Sequence, residues 1–403
     1  MKVVFIHPSH PNQFTDIAHA LAEEAGWNCS FLVDEKFTES VRSCDPPIPY
    51  YGFREGDEAF SGSYYTRSIE EGVRRGKAIV EALLHLRETD GVDLVVGHAS
   101  FGTTFFIRDI LKVPVVSYVE LPGYFPVYAR NEFPARHEHM LMDVSLRALI
   151  NSSVLGSDLC IVPSAYAKNL FPADLVHKIR VQMEGFLLPH PCEDRKTLRV
   201  QLGLPPDAPI VGFAGRSLES VRGFDIFAKA ALEIRHTRPD ARFLAIGSES
   251  TLYGNESMYL GNLSFKRYVL DALGLGEDDF IFKDFMPRDD FIGYVQAMDV
   301  IMFPIFEGAA NWGLFEAMAC GIPVLASNRC FVPEIIHDGK EGILLEPDDV
   351  RGFANAALTI LSEPDVRARL GRNARCKIAA DYSIDRARDG YAAILQEAVL
   401  GNR

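Results

Sequence analysis

The segment that most constrains the fold of this chain is VIMFPIFEGAANWGLFEAMACGIPVLAS, at residues 300–327. An apolar strand at 300–303 leads into a loop of Gly, Ala and Asn, which opens a short helix with Glu316 in its first turn. Gly321 ends that helix, and a second apolar strand follows at 324–326. Unpaired N–H groups at such a helix start can hold an anion, and a nearby carboxylate suits a sugar hydroxyl. The segment therefore predicts a pocket for a nucleoside diphosphate.

Length and charge narrow the class of protein. The chain has 403 residues, a length that favours two domains, and 48% of its residues are hydrophobic, which is enough to form buried cores. Its formal net charge of −14 disfavours nucleic acid as a partner and limits membrane contact to a peripheral one. The seven cysteines are scattered without a CxxC pair, which favours reduced, buried thiols over disulfides or a zinc site. The N-terminus enters a strand directly and no apolar run reaches membrane-spanning length, so we expect a cytoplasmic protein.

Short β-branched runs alternate with segments of helical period along most of the chain. This alternation is typical of parallel sheets with helices on both faces. It predicts an α/β protein with two Rossmann-like, doubly wound domains facing a cleft. The strand candidates are 3–6, 30–33, 94–96, 115–119, 159–162 and 179–181 in the first half, and 210–214, 242–246, 280–282, 300–303, 324–326 and 343–345 in the second.

The same pattern predicts the domain boundaries. We expect an N-terminal domain at 1–190, a proline-rich and charged linker at 191–209, and a C-terminal domain at 210–380. A last helix lies at 381–403, and the sequence does not decide whether it packs back on the N-terminal domain. Residues 35–66 lack periodicity, which predicts an irregular insert of the kind that is usually functional.

A second loop suited to phosphate opens the C-terminal domain. The strand at 210–214 leads into Gly215 and Arg216, and Arg222 and Gly223 precede a helix. Open backbone and permanent, forked positive charge at the carboxyl end of a strand suit a diphosphate. On the motif alone, two solvated loop arginines are an equally good interpretation.

Three segments together resemble the group 1 (family 4) glycosyltransferases, which are retaining enzymes of the GT-B fold. They are GFAGRSLESVRGFDIFAKAA, KDFMPRDDFIGYVQAMDVIMFP and GLFEAMACGIPVLAS followed by VPEIIHDGKEGILLEPDD. The resemblance covers most of residues 205–350. The first half is similar only loosely, through DLVVGH, DLCIVPSAYAKNLF and the turn at 183–186.

The resemblance implies which residues bind a nucleotide-sugar donor. Arg216 and Arg222 would hold its diphosphate, Glu316 would accept a hydrogen bond from the ribose, and residues 284–286 would receive the base. The implied donor-binding residues are Gly215, Arg216, Arg222, Phe285, Met286, Gly308, Asn311, Trp312, Gly313, Leu314 and Glu316.

One motif departs from the family pattern. Where the family has the first glutamate of a pair, this chain has Gly308, and Glu307 lies one residue earlier. Either Glu307 reaches the sugar through a rearranged loop, or the contact is lost. We favour the first, because a glycine and two alanines leave the backbone free to adjust. A solvent-facing loop carboxylate is the structural alternative.

The first half contributes candidates for the acceptor side. His98 follows the strand at 94–96, and ligands of open α/β sheets lie outside such strand ends. The resemblance places a histidine here against the donor sugar; a capping or core histidine is the alternative. The segment HPSHPNQF replaces the family's glycine-rich loop, so His10, Asn12 and Gln13 join His98 as expected acceptor-side residues.

These assignments predict transfer of a hexosyl-type sugar from a UDP-sugar, or second a GDP-sugar, to a carbohydrate or other hydroxyl acceptor, with retention of configuration. The expected catalytic residues are His98, Glu307, Arg216 and Arg222. We expect no metal and no cofactor, because arginines and the helix dipole supply positive charge. A nucleotide-sugar epimerase or phosphorylase of the same fold, and a non-catalytic nucleotide-sugar-binding protein, are the alternatives. The sugar, the acceptor and homodimer formation remain open.

Overall fold

The computed structural model describes residues 1–24, 26–42, 48–56, 62–124 and 127–401. The chain forms two compact units. The first comprises Met1–Tyr124, Arg136–Gly185 and Ile384–Arg403, and the second comprises Phe125–Ala135 and Phe186–Ser383. In this division a short internal segment of the first half belongs to the second unit, and the last helix belongs to the first unit.

The first unit is built on a parallel sheet. Its strands in the described part of the chain are β1 (Lys2–Ile6), β2 (Asn28–Asp34), β3 (Tyr50–Phe53), β4 (Leu94–His98), β5 (Val115–Tyr118), β6 (Leu159–Val162) and β7 (Ile179–Val181). They are ordered β3-β2-β1-β4-β5-β6-β7. The direction of winding therefore reverses between β1 and β4, and the carboxyl ends of these two strands flank the switch point.

Helices cover this sheet, and their apolar sides bury the strands. They are α1 (Thr15–Glu24), α2 (Glu35–Arg42), α3 (Arg67–Thr89), α4 (Ile107–Leu111), α5 (His137–Leu155) and α6 (Ala165–Asn169). Ile79, Leu83 and Leu86 of α3 pack in one core with Val4 and Val95 of the sheet.

The second unit repeats the same topology. Its strands are β8 (Ile210–Ser217), β9 (Arg242–Ser248), β10 (Ile281–Lys283), β11 (Val300–Phe303), β12 (Val324–Ser327) and β13 (Ile343–Leu345). The described strands are parallel and ordered β10-β9-β8-β11-β12-β13, so the switch point lies between β8 and β11. The confirmed fold class is thus α/β with two Rossmann-like, doubly wound parallel sheets.

The helices of the second unit enclose an aromatic core. They are α7 (Arg195–Gln201), α8 (Phe224–Thr237), α9 (Ser257–Leu260), α10 (Phe265–Leu273), α11 (Arg288–Gln296), α12 (Trp312–Ala319), α13 (Val332–Ile335), α14 (Val350–Ser362) and α15 (Pro364–Asp381). Phe224 and Phe227 of α8 pack with Phe213 of β8 in that core. Asp349 caps α14 by accepting the Gly352 N–H at 2.8 Å.

The last helix, α16 (Ile384–Leu400), packs on the first unit. Its buried residues Ala387, Tyr391 and Leu395 join the core formed by the other face of the first sheet. The helix therefore belongs to the first unit because its buried residues pack in that core.

Two segments have more regular structure than the sequence indicates. The expected linker contains helix α7, which lies in the second unit. The expected irregular insert at 35–66 contains α2 and β3, and β3 pairs with β2 in the first sheet. Tyr50 of β3 stacks on Phe31 of β2, with ring centroids 5.0 Å apart. This aromatic residue of the insert therefore packs at the edge of the sheet. Residues 43–47 and 57–61 of this insert lie outside the described residues.

No helix within the described ranges is long and apolar enough to cross a bilayer. The described cysteines are free thiols, and Cys29 and Cys160 are buried as expected. Cys192, Cys320 and Cys330 are only partly buried, and Cys376 is exposed, so the expectation of burial is wrong for Cys376; Cys44 lies outside the described residues.

Asp299 provides a test of how α7 is held. Its buried carboxylate accepts Arg199 at 2.8 Å, the Ile210 N–H at 2.9 Å, and Arg367 at 3.0 Å. We expect Asp299→Ala to destabilise the protein by about 3–5 kcal/mol, because it leaves a buried arginine without its counter-charge. Guanidinium denaturation measures the change, with the exposed Asp240→Ala as control. Equal stability of the two variants would contradict the assignment.

Candidate nucleotide-binding site

The strongest candidate site lies at the switch point of the second sheet. The β8 loop, defined as residues 218–223, follows β8, and the β11 loop, defined as residues 304–311, follows β11. These strands are hydrogen-bonded neighbours and parallel, so their loops lie at the same edge of the sheet. Ligands of doubly wound sheets bind in the crevice at such an edge.

The two loops are in direct contact. Gly223 has φ of +76°, and a Cβ atom there would lie 2.2 Å from the Pro304 carbonyl oxygen. The Phe306 N–H donates to the Val221 carbonyl oxygen at 2.9 Å. Only glycine allows both that conformation and that approach. The contact fixes the start of α8 relative to the β11 loop.

Arg222 belongs to the β8 loop, and its side chain lies against the β11 loop. It is 8% exposed, and its guanidinium carbon lies 5.0 Å from the centre of the Tyr253 ring. A Cβ atom built on Gly308 would be 3.3 Å from its Nη1 atom, so the guanidinium lies against the backbone of the β11 loop. Its Nε atom is 4.0 Å from Glu219. The arginine is thus held in place at the switch point by both loops and an aromatic ring.

Two buried carboxylates hold the β8 loop, and the sequence did not single them out. Glu219 accepts the N–H groups of residues 252, 253 and 254 at 2.9–3.1 Å. Glu256 accepts the Ser220 N–H at 2.8 Å and its hydroxyl at 2.6 Å, and burial raises the pKa of Glu256. Glu219 and the N–H group of Leu252 are 33 residues apart in the sequence, and no hydrophobic or helical period links positions at that distance. Only the folded structure therefore identifies them as partners.

The start of α12 has the geometry that an anion needs. Asn311 caps the helix by accepting the Leu314 N–H at 3.2 Å, and Trp312 follows with 40% of its surface exposed. The helix dipole and the remaining N–H groups of the first turn therefore point toward the β11 loop. Gly313 packs among side chains here: a Cβ atom would lie 3.4 Å from the Asn311 side-chain oxygen.

Glu316 lies later in this helix than expected. It belongs to the second turn rather than the first, because α12 begins at Trp312. The side chain is largely buried, and Arg288 at the start of α11 donates to it at 2.6 Å. Arg288 was not among the predicted site residues, although it follows the segment expected to receive the base. The pair identifies Arg288 as a neighbour of any ligand that contacts Glu316.

Glu307 folds back on its own loop. Its carboxylate accepts the Gly308 N–H at 2.9 Å, and the residue is partly buried. It also lies close enough to Cys330 to add to the effect of burial, which raises the pKa of that thiol to about 12. The displaced glutamate therefore remains at the switch point, beside the arginine-facing Gly308.

Three further predicted residues are accessible at the same sheet edge. Arg216 is exposed at the end of β8, next to Gly215. Phe285, after β10, is 63% exposed, and Met286 is partly buried beside it. Exposed aromatic surface at a strand end is suited to contact with a planar ring. The described contacts do not join Phe285 and Met286 to Arg222 directly.

The first unit has a separate polar group at its own switch point. His98 ends β4 and is 3% exposed, with its ring 6.0 Å from that of His7, 4.6 Å from Phe101 and 5.2 Å from Tyr118. Burial, followed by the nearby His7, holds the pKa of His98 well below its usual value. Its Nδ1 atom has no hydrogen-bond partner among the described residues. His7 was not among the predicted site residues.

The other predicted residues of this unit have different surroundings. His10 packs against Tyr50 at 4.8 Å, and burial lowers its pKa. Asn12 uses its amide within the loop: Nδ2 donates to Ser9 O at 2.8 Å, and Oδ1 accepts the Phe14 N–H at 2.9 Å. Asn12 thus shapes the turn after β1, whereas Gln13 is partly exposed.

No group of three His, Cys, Asp or Glu side chains suited to a metal ion occurs in the described part of the chain.

Models of known families match most of the chain. Residues 25–188 match the glycosyl transferase family 4 group, and residues 194–377 match the glycosyl transferases group 1. The chain belongs to the group 1 glycosyltransferases. The predicted family resemblance is therefore confirmed, and its motifs coincide with the switch-point loops of the second unit.

Curated relatives of the chain share a recurring name. The D-inositol 3-phosphate glycosyltransferase of Saccharomonospora viridis is 30% identical over 217 residues, 52% of this chain and 47% of that protein. Its namesake from Acidothermus cellulolyticus is 29% identical over 214 residues, 52% of this chain and 46% of that protein. The chain thus spans about half the length of the curated relatives it matches.

Solved structures share the fold of this chain. Sucrose-phosphate synthase from Thermosynechococcus elongatus superposes with a TM-score of 0.75 at 19% identity, over 100% of both chains. HepE of Anabaena, in complex with UDP-glucose, superposes with a TM-score of 0.71 at 18% identity, over 98% of this chain and 100% of that one. At these identities the likeness establishes the GT-B fold.

The buried imidazole gives a prediction about pH. Because the folded pKa of His98 is depressed, the unfolded chain binds a proton that the folded chain does not, so the stability of the fold decreases as pH falls from the unfolded pKa of about 6.5 toward the folded one. We expect the His98 ring to remain neutral between about pH 8 and 6. Nitrogen NMR shifts, assigned with His98→Gln, measure this; protonation near pH 6.5 would contradict it.

Proposed function

We propose that this chain transfers a sugar from a nucleoside diphosphate sugar to an acceptor hydroxyl, with retention of anomeric configuration. The second unit binds the donor, and the switch-point edge of the first unit supplies acceptor-side residues, among them His98. The sugar transferred is of hexosyl type. No resident metal takes part in the proposed reaction.

One observation supports this proposal most strongly. Arg222, the glycine-containing β11 loop and the capped start of α12 occur together at the switch point of the second sheet. A guanidinium and aligned N–H groups are the combination that a diphosphate needs. Arg216, exposed at the end of β8, adds a second cation that can follow a mobile phosphate.

The chemistry assigned to these groups is stabilisation of a leaving group. As the bond between the sugar and the diphosphate breaks, negative charge grows on the departing phosphate. Arg222, Arg216 and the N–H groups at the start of α12 are arranged to stabilise that charge. Glu307 and His98 position the sugar, which acquires oxocarbenium character. In this proposal, a leaving phosphate oxygen accepts the acceptor's proton on the same face, so retention requires no carboxylate base.

A neutral imidazole fits the role given to His98. Since burial keeps its pKa low, the ring adds no positive charge beside a cationic sugar. It acts through hydrogen bonding, and its Nδ1 atom has no such partner among the described residues. His98 is therefore suited to contact a sugar hydroxyl.

Uridine is the base that we favour, with guanosine second. HepE of Anabaena, which has the same fold, was crystallised with UDP-glucose and with UDP and glucose. In this chain the exposed Phe285 offers a face to the base, and Glu316 offers a carboxylate to the ribose. That carboxylate is paired with Arg288, so ribose binding shares it with an arginine.

Removal of the central arginine tests the donor site. We expect Arg222→Ala to weaken UDP binding by about 1.5–3 kcal/mol, roughly ten- to hundredfold, because a charge-assisted contact is lost. Calorimetry measures the dissociation constants of UDP, GDP, ADP and TDP. Arg242→Ala is the matched control, since Arg242 begins β9 at the opposite edge of the sheet. Absence of binding by the wild-type protein to every nucleotide would refute the proposal.

A chelator tests the proposed independence from metals. We expect glycosyl transfer or slow donor hydrolysis to continue unchanged after treatment with EDTA, because arginines and peptide dipoles provide the positive charge. Activity is followed by release of the nucleoside diphosphate, before and after chelation and after addition of Mg²⁺ or Mn²⁺. Loss with EDTA and recovery with either ion would contradict metal independence. Isomerisation of the donor without an acceptor would instead favour an epimerase.

A further inference from the structure

Arg130 is a buried arginine of the second unit that none of the family motifs includes. It lies in the short segment at 125–135 that belongs to this unit although both flanking stretches of sequence belong to the other. Its side chain is 4% exposed. Burial of a guanidinium is costly unless its charge and its donors are satisfied. The groups that satisfy this guanidinium therefore indicate its structural role.

Most of those partners lie in the two loops of the candidate site or directly after them, and one, Glu132, which accepts from Nη2 at 3.2 Å, lies in the segment itself. Nη1 and Nη2 donate to the two oxygens of Asp225, in the first turn of α8, at 2.7 and 3.2 Å. Nη1 also donates to the carbonyl oxygen of Ser220, in the β8 loop, at 2.9 Å. The guanidinium carbon lies 3.9 Å above the ring of Phe306, in the β11 loop. One planar group thus fastens the two loops to each other.

The rest of the segment is anchored on either side of Arg130. Phe133 is 7% exposed and belongs to the main core of the second unit, with its ring 5.8 Å from Phe265. Tyr128 is 3% exposed, and its ring lies 5.4 Å from Tyr253. Tyr253 is the residue whose ring lies beneath the guanidinium of Arg222. The segment therefore supports Arg222 through the loops and through this aromatic contact.

We propose that Arg130 is a positioning residue for Arg222, and that it acts by holding the β8 loop against the β11 loop. It is not proposed to touch the substrate, since it reaches the diphosphate site only through other residues. The inference rests on the proposed function, because it assigns Arg222 to the donor diphosphate. Lysine cannot replace Arg130, since an ammonium lacks the planar fork that binds Asp225 and Ser220 together.

Arg130→Met, which keeps the length of the stem, is the principal test. The probes are UDP and UMP, which differ by one phosphate, and GDP with GMP if the wild-type protein prefers guanosine. We expect roughly tenfold weaker UDP binding in Arg130→Met, the size of one lost contact to a charged group, with UMP affected less. Because Arg130 acts through Arg222, the double variant with Arg222→Ala should bind UDP no more weakly than Arg222→Ala alone.

The matched control is Arg235→Met. Arg235 lies at the other end of α8 and also pairs with an aspartate, Asp279, at 2.5 Å. The Arg235→Met substitution should leave the ratio of UDP affinity to UMP affinity unchanged. If Arg130→Met does not fold, as judged by thermal melting, Arg130→Lys and Asp225→Asn are measured by the same criteria. Both keep a polar group of similar size in the buried position.

The outcomes separate the inference from the proposed function. Wild-type protein that binds no nucleoside diphosphate overturns both. Wild-type binding that depends on Arg222 but is unchanged in Arg130→Met overturns only the inference. Equal loss of UDP and UMP binding in Arg130→Met also overturns the inference, because a merely structural role would affect the whole site. Additive effects of the Arg130 and Arg222 substitutions overturn it too, because they would show that Arg130 does not act through Arg222. A selective, non-additive loss supports it.

Discussion

The contact between the loops that follow β8 and β11 is the constraint on which the candidate site depends. Gly223 brings the backbone so close to the Pro304 carbonyl that a side chain could not fit, and the Phe306 N–H bonds to the Val221 carbonyl. Since two parallel strands diverge in their connections at a switch point, their loops would otherwise part and leave an open crevice. Here the bases of the loops meet, so Arg222 is presented from a rigid support.

Buried charge organises this support. Glu219, Glu256 and Asp225 are all buried, and each accepts hydrogen bonds that order the backbone or a cation of the site. Carboxylates can be buried when N–H groups and guanidinium groups satisfy them. The second unit is thus not a generally basic surface that attracts anions: it holds particular cations in place with matched carboxylates. This arrangement is consistent with the chain's net charge of −14.

Much of the fold was predictable from sequence, because strands buried on both faces appear as short β-branched runs whatever they contact. Every predicted strand corresponds to a strand of the structure. Strand β3 was not predicted, because its aromatic residues lie at a sheet edge and their sequence lacks the β-branched pattern of a buried strand. Arg222, Gly308 and Glu316 were named through a local motif. Glu256, Arg288 and Arg130 were not, because their partners lie 36, 28 and 95 residues away and no periodicity links such positions.

By itself, the sequence determined the alternation of strand and helix, the glycine-containing loops after particular strands and the family to which the chain belongs. These are properties of consecutive residues, fixed by backbone freedom and by hydrophobic period. Only the tertiary structure decided that the last helix packs on the first unit and that residues 127–135 pack in the second. It alone shows that Arg130 fastens both switch-point loops. The physical reason is that burial, hydrogen-bond satisfaction and ion pairing depend on neighbours in space, which local patterns do not encode.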